Sequence, residues 1–446
     1  MSLRAKLASQ SAIIFGMRIV GAGLVFLAQA AIARFWGKAT LGDYLLIMAT
    51  VNVTAMAMPL GFQTVGTYFA AEYRARGQGH LLRRFALRTY MQAGLVALLA
   101  LLVVGFVSRF ASFSDDLFAQ NWLPAAILTI ATAVVFINSA LLVGLERPFT
   151  GFFADGLFRP VLLIGAFAIG LIFTGGTSDL TWLLWIMALG YSMISLAHMF
   201  FTIYVIGRVQ VGLEPGIGEA HRWWRFALPW VLISLATDFF FDIDLLSLAG
   251  LLSREELAVF GVCTRIFTLA AFGAAAVYAV NLPAIFEAEA NENRAGFMRK
   301  IGDANLVATG VSAILFVCVG LFGPFALLLF GSGFSVGAGP LAVLCLALVV
   351  RSAFGPASLV LSIHDRPYAS LPGIALGIGT LLLANWLLVP QFGLMGAAVA
   401  ALIAITIWSA ALWVTARKIA GIDVSILPRF VAWQKAKAGI SHAPSV

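Results

Sequence analysis

About twelve apolar stretches, each long enough to cross a membrane, constrain this chain more than any other feature. A spanning helix needs about 20 apolar residues. The stretches run over Ser11–Ala33, Tyr44–Gly66, Tyr90–Phe110, Trp122–Leu145, Gly156–Phe173, Trp182–Val205, Phe226–Leu248, Leu257–Asn281, Ala304–Phe325, Leu341–Ile363, Leu371–Val389 and Leu394–Val414. Because 61% of the residues are hydrophobic and only 11% are charged, a soluble domain is excluded. The sequence predicts an all-α integral membrane protein with about 12 transmembrane helices.

The distribution of Lys and Arg predicts the orientation, because cytoplasmic loops keep an excess of positive charge. With the N-terminus inside, the loops on the outer side hold only Arg34, Lys38, Arg109 and Arg254. Three arginines fall within helices, and the remaining cations lie on the inner side. Both termini are therefore predicted to be cytoplasmic. The net charge of +8 is explained by this topology, so no nucleic-acid partner is expected.

The first 33 residues leave two interpretations open, a cleaved signal peptide or a retained first helix. Arg18 interrupts the apolar run, whereas a signal peptide has a short, uninterrupted one, so a retained helix is favoured.

The sequence contains no recognisable catalytic or metal-binding motif. The three cysteines, Cys263, Cys318 and Cys345, lie in apolar stretches without metal-ligand or disulfide spacing. The loops are too short for a soluble domain. We predict no enzyme activity, no catalytic residue, no metal and no cofactor.

The two halves of the chain resemble each other at an offset of roughly 217 residues, as in parallel transporter repeats. Ala71-Glu72 matches Ala288-Glu289, and the loop Glu146–Phe149 matches Asp365–Tyr368. Chance similarity between apolar segments is the alternative. The predicted organisation is a six-helix bundle over residues 1–210, a cytoplasmic linker over 211–220, a second six-helix bundle over 221–420 and a cytoplasmic tail over 421–446.

Three arginines within the apolar stretches are candidates for substrate binding, because charges at membrane depth are costly and mostly functional. Arg18 lies roughly 10 Å from the predicted cytoplasmic end of its helix, so snorkelling to the surface explains it equally well. Arg351 lies roughly 15 Å into its helix, where snorkelling is a poor explanation. With Arg265, these guanidinium groups would form a cationic cavity suited to phosphate.

The seventh stretch carries Asp238 and Asp242, which a spacing of four places on one helix face, whereas Asp244 points elsewhere. Asp238 and Arg265 are predicted at similar depth, so a structural ion pair is one interpretation. The other is that Asp238 or Asp242 binds a coupling proton or cation, since a low dielectric favours the protonated carboxyl.

Glycine, proline and aromatic residues give weaker signals. Pro59 with Gly61, and Pro229, predict either kinks around a cavity or ordinary close packing. The stretch Gly331–Gly339 follows a membrane helix and lacks a Lys, so it predicts a hinge or a turn rather than a phosphate loop. The segment Phe430–Lys437 fits an interfacial anchor or a disordered tail.

Several short motifs occur in an order that resembles one family. They are Ala33-Arg34 with Gly42-Asp-Tyr44, Leu60-Gly61-Phe62 with Tyr68 and Glu72, Ser253 with Glu256 and Phe260, Phe330-Gly331 with Phe334, and Gly393-Leu-Met-Gly396-Ala397-Ala398-Val-Ala400. In this order the chain resembles the polysaccharide transporters, or lipid-linked oligosaccharide (O-antigen type) flippases, of the multidrug/oligosaccharidyl-lipid/polysaccharide exporter superfamily.

The resemblance implies two pseudo-symmetric six-helix bundles in a V around a cavity with alternating access. It also implies a bacterial inner-membrane flippase for polyprenyl-pyrophosphate-linked oligosaccharide, serving surface polysaccharide or lipopolysaccharide synthesis. Its partners would be the lipid-linked oligosaccharide, membrane lipids, and a glycan polymerase and glycosyltransferases. Relatives that flip the cell-wall precursor have fourteen helices, so a cell-wall role is not expected here.

Other functions remain as alternatives. A cation-coupled multidrug exporter of the same superfamily would favour an acidic and aromatic cavity, which the arginines oppose. A polytopic glycan ligase or glycosyltransferase would need a large active-site loop or clustered metal ligands. A structural scaffold would not explain the charges within the helices.

Overall fold

The computed structural model describes residues 3–110, 116–173, 179–210, 219–291, 294–364, 366–429 and 431. In this part of the chain the structure consists of helices and turns, without strands. The chain divides into two compact units, Met1–Leu246 and Ser247–Val446. The all-α prediction is therefore confirmed. The helix that begins at Ala220 groups with the first unit, and the predicted linker over 211–220 stays a prediction.

The first unit contains helices of very unequal length. They are α1 (Leu3–Trp36), α2 (Lys38–Ala57), α3 (Phe62–Ala75), α4 (Gly79–Phe110), α5 (Asp116–Gly144), α6 (Pro148–Phe153), α7 (Arg159–Phe173), α8 (Leu180–Gly207) and α9 (Ala220–Asp238). The next helix, α10 (Phe240–Leu248), begins in the first unit and ends two residues into the second. Helix α5 lies at the centre and packs against α2, α3 and α8. A π-helical turn over Ala154–Phe158 joins α6 to α7.

The second predicted span is broken between α2 and α3. Leu60 and Gly61 both have positive φ, 53° and 84°, so the helix cannot continue through them. The break displaces the amide that would have bonded the Met56 carbonyl, and the Gln63 side chain donates to that carbonyl instead, at 2.8 Å. The Met56 carbonyl at the break is thus satisfied by a side chain, as irregular backbone within a membrane requires.

Gly61 also lies in close contact with α9. A Cβ placed on this residue would lie 2.0 Å from the Ala227 carbonyl oxygen. The prediction of a kink and the alternative of close packing are therefore both correct at this position. In the motif Leu60-Gly61-Phe62 the glycine is required both by its positive φ and by the close approach of α9.

The seventh predicted span is also broken. Helix α9 ends at Asp238, Phe239 has non-helical angles (φ −123°, ψ 23°), and α10 restarts at Phe240. Asp238 and Asp242 therefore do not belong to one uninterrupted helix, which was the basis for placing them on a common face.

The second unit also contains helices of unequal length. They are α11 (Arg254–Ala290), α12 (Arg294–Leu328), α13 (Ala338–Phe354), α14 (Ala357–Ile363) and α15 (Leu371–Ile419). The predicted turn after α12 is a 3₁₀ helix over Ser332–Gly337, which begins after Gly331 at φ 122°. The motif residues Ser253 and Glu256 form a capping box at the start of α11, so they have a structural role.

Helix α15 is long enough for two crossings. Its 49 residues would extend about 74 Å, more than twice a hydrocarbon core. Gly393 interrupts it with φ 54° and ψ −132°, which separates the eleventh and twelfth predicted spans. In the described residues ten helical segments are long and apolar enough to cross a membrane. Dividing the last of these and adding the broken seventh span is consistent with about 12 helices in a multi-pass membrane protein.

Two corresponding loops have the same local conformation, which supports the internal repeat. Arg147 (φ −122°, ψ 53°) and Arg366 (φ −125°, ψ 47°) each precede a proline that starts the next helix. Their amides donate to Leu142 and Leu361, in both cases five residues back, at 2.8 and 2.9 Å.

The segment after α15 packs on the second unit. Its backbone accepts a hydrogen bond from Asn305 at the Val424 carbonyl, and the Ile426 amide donates to Ala353. Asp423 accepts from the indole of Trp413 at 2.8 Å. The predicted tail is therefore anchored at its start. Of the aromatic and basic segment predicted as an anchor, all but Val431 lies outside the described residues.

Candidate functional site

A polar cavity of about 440 Å³ lies within the first unit. Its polar lining comes from α1, α3, α5, the π-helical turn and α9. These side chains are Arg18, Gln63, Thr64, Thr67, Ser139, Asp155, Ser234 and Asp238. Such a lining is unusual inside a bundle of membrane helices, where polar groups mark substrate or ion pathways.

Two of the site residues predicted from the sequence, Arg18 and Asp238, line this cavity. Arg18 is exposed, and its guanidinium lies 4.4 Å from the centre of the Phe152 ring. Asp238 is exposed at the end of α9 and accepts a hydrogen bond from Thr237 at 3.3 Å. Thr64 and Ser234 bond to each other at 3.0 Å across the same cavity, which joins α3 to α9.

The backbone approaches closely at this point, which sets the position of Arg18. A Cβ on Gly21 would lie 1.9 Å from the carbonyl oxygen of Gly156, so only glycine lets α1 reach the π-helical turn. The turn places Asp155 beside the cavity. Single π-helical turns within α-helices are frequent at functional sites.

A buried hydrogen-bond network extends from the cavity into the unit. The guanidinium of Arg159 donates to Asp155 at 3.1 Å and to Asn52 at 3.0 Å. The Tyr191 hydroxyl donates to the same Asp155 oxygen at 3.2 Å, and the Asn52 amide reaches Asp242 at 3.5 Å. The Arg159 side chain is only 14% exposed. One arginine therefore links helices α2, α7 and the π-helical turn.

The two candidate coupling aspartates differ in environment. Asp242 is 8% exposed and lies in the first turn of α10 within the network, whereas Asp238 is exposed at the cavity. Asp244 is fully buried. The predicted pair of Asp238 with Arg265 joins residues of different units and stays a prediction.

Sequence reasoning missed Arg159 as an intramembrane charge, because it lies three residues into the apolar stretch that begins at Gly156 and was therefore counted with the cytoplasmic loop. The continuous apolar helical segment begins at Pro148, which places Arg159 roughly 16 Å along it. The available signal was Asp155 four residues earlier, since an acid and a base at this spacing meet on a helix face. Asn52 and Tyr191 carried no comparable signal.

Arg265 and Arg351 both lie in the second unit. Arg265 is partly buried on α11, and Arg351 is exposed on α13 with its guanidinium 5.7 Å from the centre of the Trp408 ring. The convergence of the three predicted arginines on one cavity stays a prediction.

A second polar cluster ties the end of α3 to the start of α9. Glu72, with an 8% exposed side chain, pairs with Arg76 at 2.7 Å and with Arg222 at 2.8 Å. Arg222 also contacts Glu219, to which Tyr73 donates, and the Trp223 indole donates to Tyr73 at 2.7 Å. Burial, together with the hydrogen bond to Glu219, raises the pKa of Tyr73. Its phenol is therefore a stable donor.

Solved structures with the same fold are membrane transporters. An inward-facing multidrug resistance MATE family transporter of the MOP superfamily matches with a TM-score of 0.70 and 14% identity, over 89% of this chain and 94% of that one. The lipid II flippase MurJ, in an inward closed conformation, matches with a TM-score of 0.67 and 13% identity, over 91% and 87%.

A third structure is a MOP superfamily transporter from Pyrococcus furiosus, described by a binding pocket of reversed polarity that suggests a different function. It matches with a TM-score of 0.66 and 14% identity, over 91% of this chain and 93% of that one. No family model matches the chain, and no curated protein matches it in sequence. These likenesses establish the fold.

Proposed function

We propose that this protein is a transporter of the MOP superfamily that flips a polyprenyl-pyrophosphate-linked oligosaccharide across the bacterial inner membrane by alternating access. The fold is shared with the lipid II flippase MurJ over most of both chains. The sequence motifs resemble those of the lipid-linked oligosaccharide flippases, and their order extends through both halves. Surface polysaccharide or lipopolysaccharide synthesis is the proposed pathway.

The observation that carries this proposal is an exposed arginine in a polar cavity inside the first unit. The Arg18 guanidinium packs against the Phe152 ring, 4.4 Å from its centre. This contact orients the guanidinium and does not use its N–H donors. Guanidinium groups make paired hydrogen bonds to phosphate oxygens. The neutral donors Thr64, Thr67 and Ser139 in the same lining suit sugar hydroxyls.

The charged groups of the remaining lining bear on both candidate cargo types. Asp155 is engaged by Arg159 and Tyr191, so its negative charge is largely compensated. Arg18 and Asp238 are the other charged groups of the lining. The carboxylate of Asp238 favours the second candidate function, a cation-coupled multidrug exporter, because it would attract a cationic cargo.

In either case we assign the coupling role to Asp242, with Asp238 as the alternative. Asp242 is buried, and it connects through Asn52 to Arg159 and thus to the cavity residue Asp155. A proton or cation at Asp242 would change the hydrogen bonding of Asn52, which in turn contacts Arg159. This gives the coupling site a direct structural path to the cavity.

The test is translocation of a fluorescent polyprenyl-pyrophosphate oligosaccharide by the purified protein in proteoliposomes. We expect Arg18→Gln to lower the rate roughly tenfold or more, because a charge-assisted hydrogen bond contributes about 1.5–3 kcal/mol. Arg265→Ala and Arg351→Ala test whether the second unit contributes to the same cationic site. Arg147→Gln removes an equal charge from an exposed position outside the cavity and should leave the rate unchanged.

Asp242→Asn should abolish the dependence of transport on a proton or cation gradient while leaving cargo binding in place. Transport of small organic cations without any movement of lipid-linked sugar would refute the flippase and establish the drug exporter. Equal translocation rates for the native protein and Arg18→Gln would refute the role of this cavity in binding the cargo.

A further inference from the structure

A second, larger depression lies on the outside of the first unit, separate from the polar cavity. It measures about 810 Å³ and lies between α4 and the start of α9. Arg84 and Arg88 line one end, and Leu87, Met91 and Leu95 continue along α4. We call this depression the α4 groove. The transport proposal does not use it.

The groove follows one face of α4. Its residues recur at spacings of three and four, which places them on a single helical stripe. The three apolar side chains are strongly exposed, at 60% for Leu87, 65% for Met91 and 57% for Leu95. From Arg84 to Leu95 the helix rises about 16 Å. This length is close to half of a hydrocarbon core about 30 Å thick, which is the depth of one leaflet.

The charge of the groove is concentrated at one end. Arg84 and Arg88 both lie in the first turns of α4, at the membrane face where the positive-inside rule places the cytoplasm. Among the described residues of the lining Glu219 is the acidic one, and Tyr73 and Arg222 both donate hydrogen bonds to its carboxylate. Among the described residues of this end, Arg84, Arg88 and Glu219 therefore sum to a formal net positive charge, at the predicted level of the lipid headgroups.

The far wall at this end is an indole. Trp223 is 4% exposed and donates its N–H to Tyr73 at 2.7 Å, so the groove has a fixed aromatic wall rather than a mobile one. The cationic end and the apolar stripe together match an amphiphile with an anionic head and tails of one leaflet's depth.

We propose that the α4 groove is a binding site for an anionic phospholipid of the cytoplasmic leaflet. Arg84 and Arg88 bind the phosphate, and an acyl chain lies along Leu87, Met91 and Leu95. A helix from a second copy or another protein would cover the apolar stripe, but it would give no reason for two arginines at the headgroup level. The proposal does not depend on what the protein transports.

The experiment measures lipid binding to delipidated full-length protein in detergent, by native mass spectrometry with added phosphatidylglycerol or phosphatidylcholine. The native protein should bind phosphatidylglycerol preferentially. Arg84→Gln combined with Arg88→Gln should weaken this binding about 10- to 30-fold, because each cation near the membrane surface contributes about 1 kcal/mol. Arg208→Gln, which removes an exposed arginine outside the groove, should retain the native affinity.

A second variant tests the apolar half without touching the charges. Met91→Trp fills the groove, so it should weaken the binding of both phospholipids and keep the ratio between them. Phosphatidylglycerol binding that is unchanged in the double arginine variant overturns the proposal. Dimers that disappear in Met91→Trp at constant lipid occupancy identify a protein partner instead. Binding of a polyprenyl phosphate without binding of phosphatidylglycerol identifies the groove as a cargo site.

Discussion

Gly61→Ala tests the contact between the broken second span and α9. Gly61 has φ 84°, which L residues rarely adopt, and its added Cβ would lie 2.0 Å from the Ala227 carbonyl oxygen. The substitution adds one methyl group, so no charge or hydrogen bond changes. Two independent penalties are expected at one position.

Their size follows from the geometry. A left-handed conformation costs an alanine about 1–2 kcal/mol. An ordinary contact of about 3.4 Å requires the two backbones to separate by about 1.4 Å, and overpacking of this kind costs about 1–3 kcal/mol. The free energy of unfolding should therefore fall by roughly 2–5 kcal/mol. Because α9 lines the cavity at Ser234 and Asp238, the transport rate should fall as well.

Gly77→Ala is the matched control. Gly77 has φ 65°, but nothing lies within 4 Å of its added Cβ, so it pays only the conformational penalty of about 1–2 kcal/mol. Thermal unfolding in detergent, followed by the loss of monodisperse protein, compares the two variants with the native chain. Equal destabilisation by Gly61→Ala and Gly77→Ala would refute the close approach of α9 to this break.

Two further predictions concern the ends of the helices. Glu72→Gln should lower the free energy of unfolding by roughly 1–3 kcal/mol, because Glu72 forms ion pairs with two arginines. Arg76→Gln should lower it by less than about 1 kcal/mol, because the Arg76 side chain is 60% exposed. Equal thermal shifts of the two variants would contradict this prediction. Burial alone would raise the pKa of Asp423, but hydrogen bonds from Trp413 and Ser425 outweigh it and lower the pKa. The stabilisation by the Asp423 carboxylate is therefore present above about pH 4 and is lost as the pH falls through the lowered pKa. Unfolding measured between pH 3 and pH 6 should show this loss in the native chain and not in Asp423→Asn.

The positions of the helices could be predicted because apolar length alone determines which segments can cross a membrane. The interruptions could be predicted only in part. Pro59 and Gly61 signalled the first break, and Gly393 lies between two predicted spans, but nothing around Phe239 is a helix breaker. That residue nevertheless has non-helical angles (φ −123°, ψ 23°), for which the sequence gives no signal.

The site was predicted less completely for a related reason. Arg18 and Asp238 were identified because a charge in an apolar stretch is visible in the sequence. Asn52 and Tyr191 are polar but uncharged, so hydropathy gives them little weight. Their role depends on Arg159, and the helical segment that contains it begins earlier than the apolar stretch suggested. Neutral members of a buried network become visible only when the helices are placed together.

The irregular backbone of the first unit converges on the polar cavity, and this gives the breaks a common explanation. Met56 and Gln63 flank the first break, Asp238 and Phe239 mark the second, and Asp155 belongs to the π-helical turn; all five line the cavity. Non-helical backbone at membrane depth is tolerated where it is buried in protein or lines a water-filled cavity, because its polar groups can be satisfied there. Discontinuous helices of this kind form the substrate and ion sites of many transporters. The cavity is therefore where the breaks within the second and seventh predicted spans and the π-helical turn come together, and these breaks are best understood as part of the site.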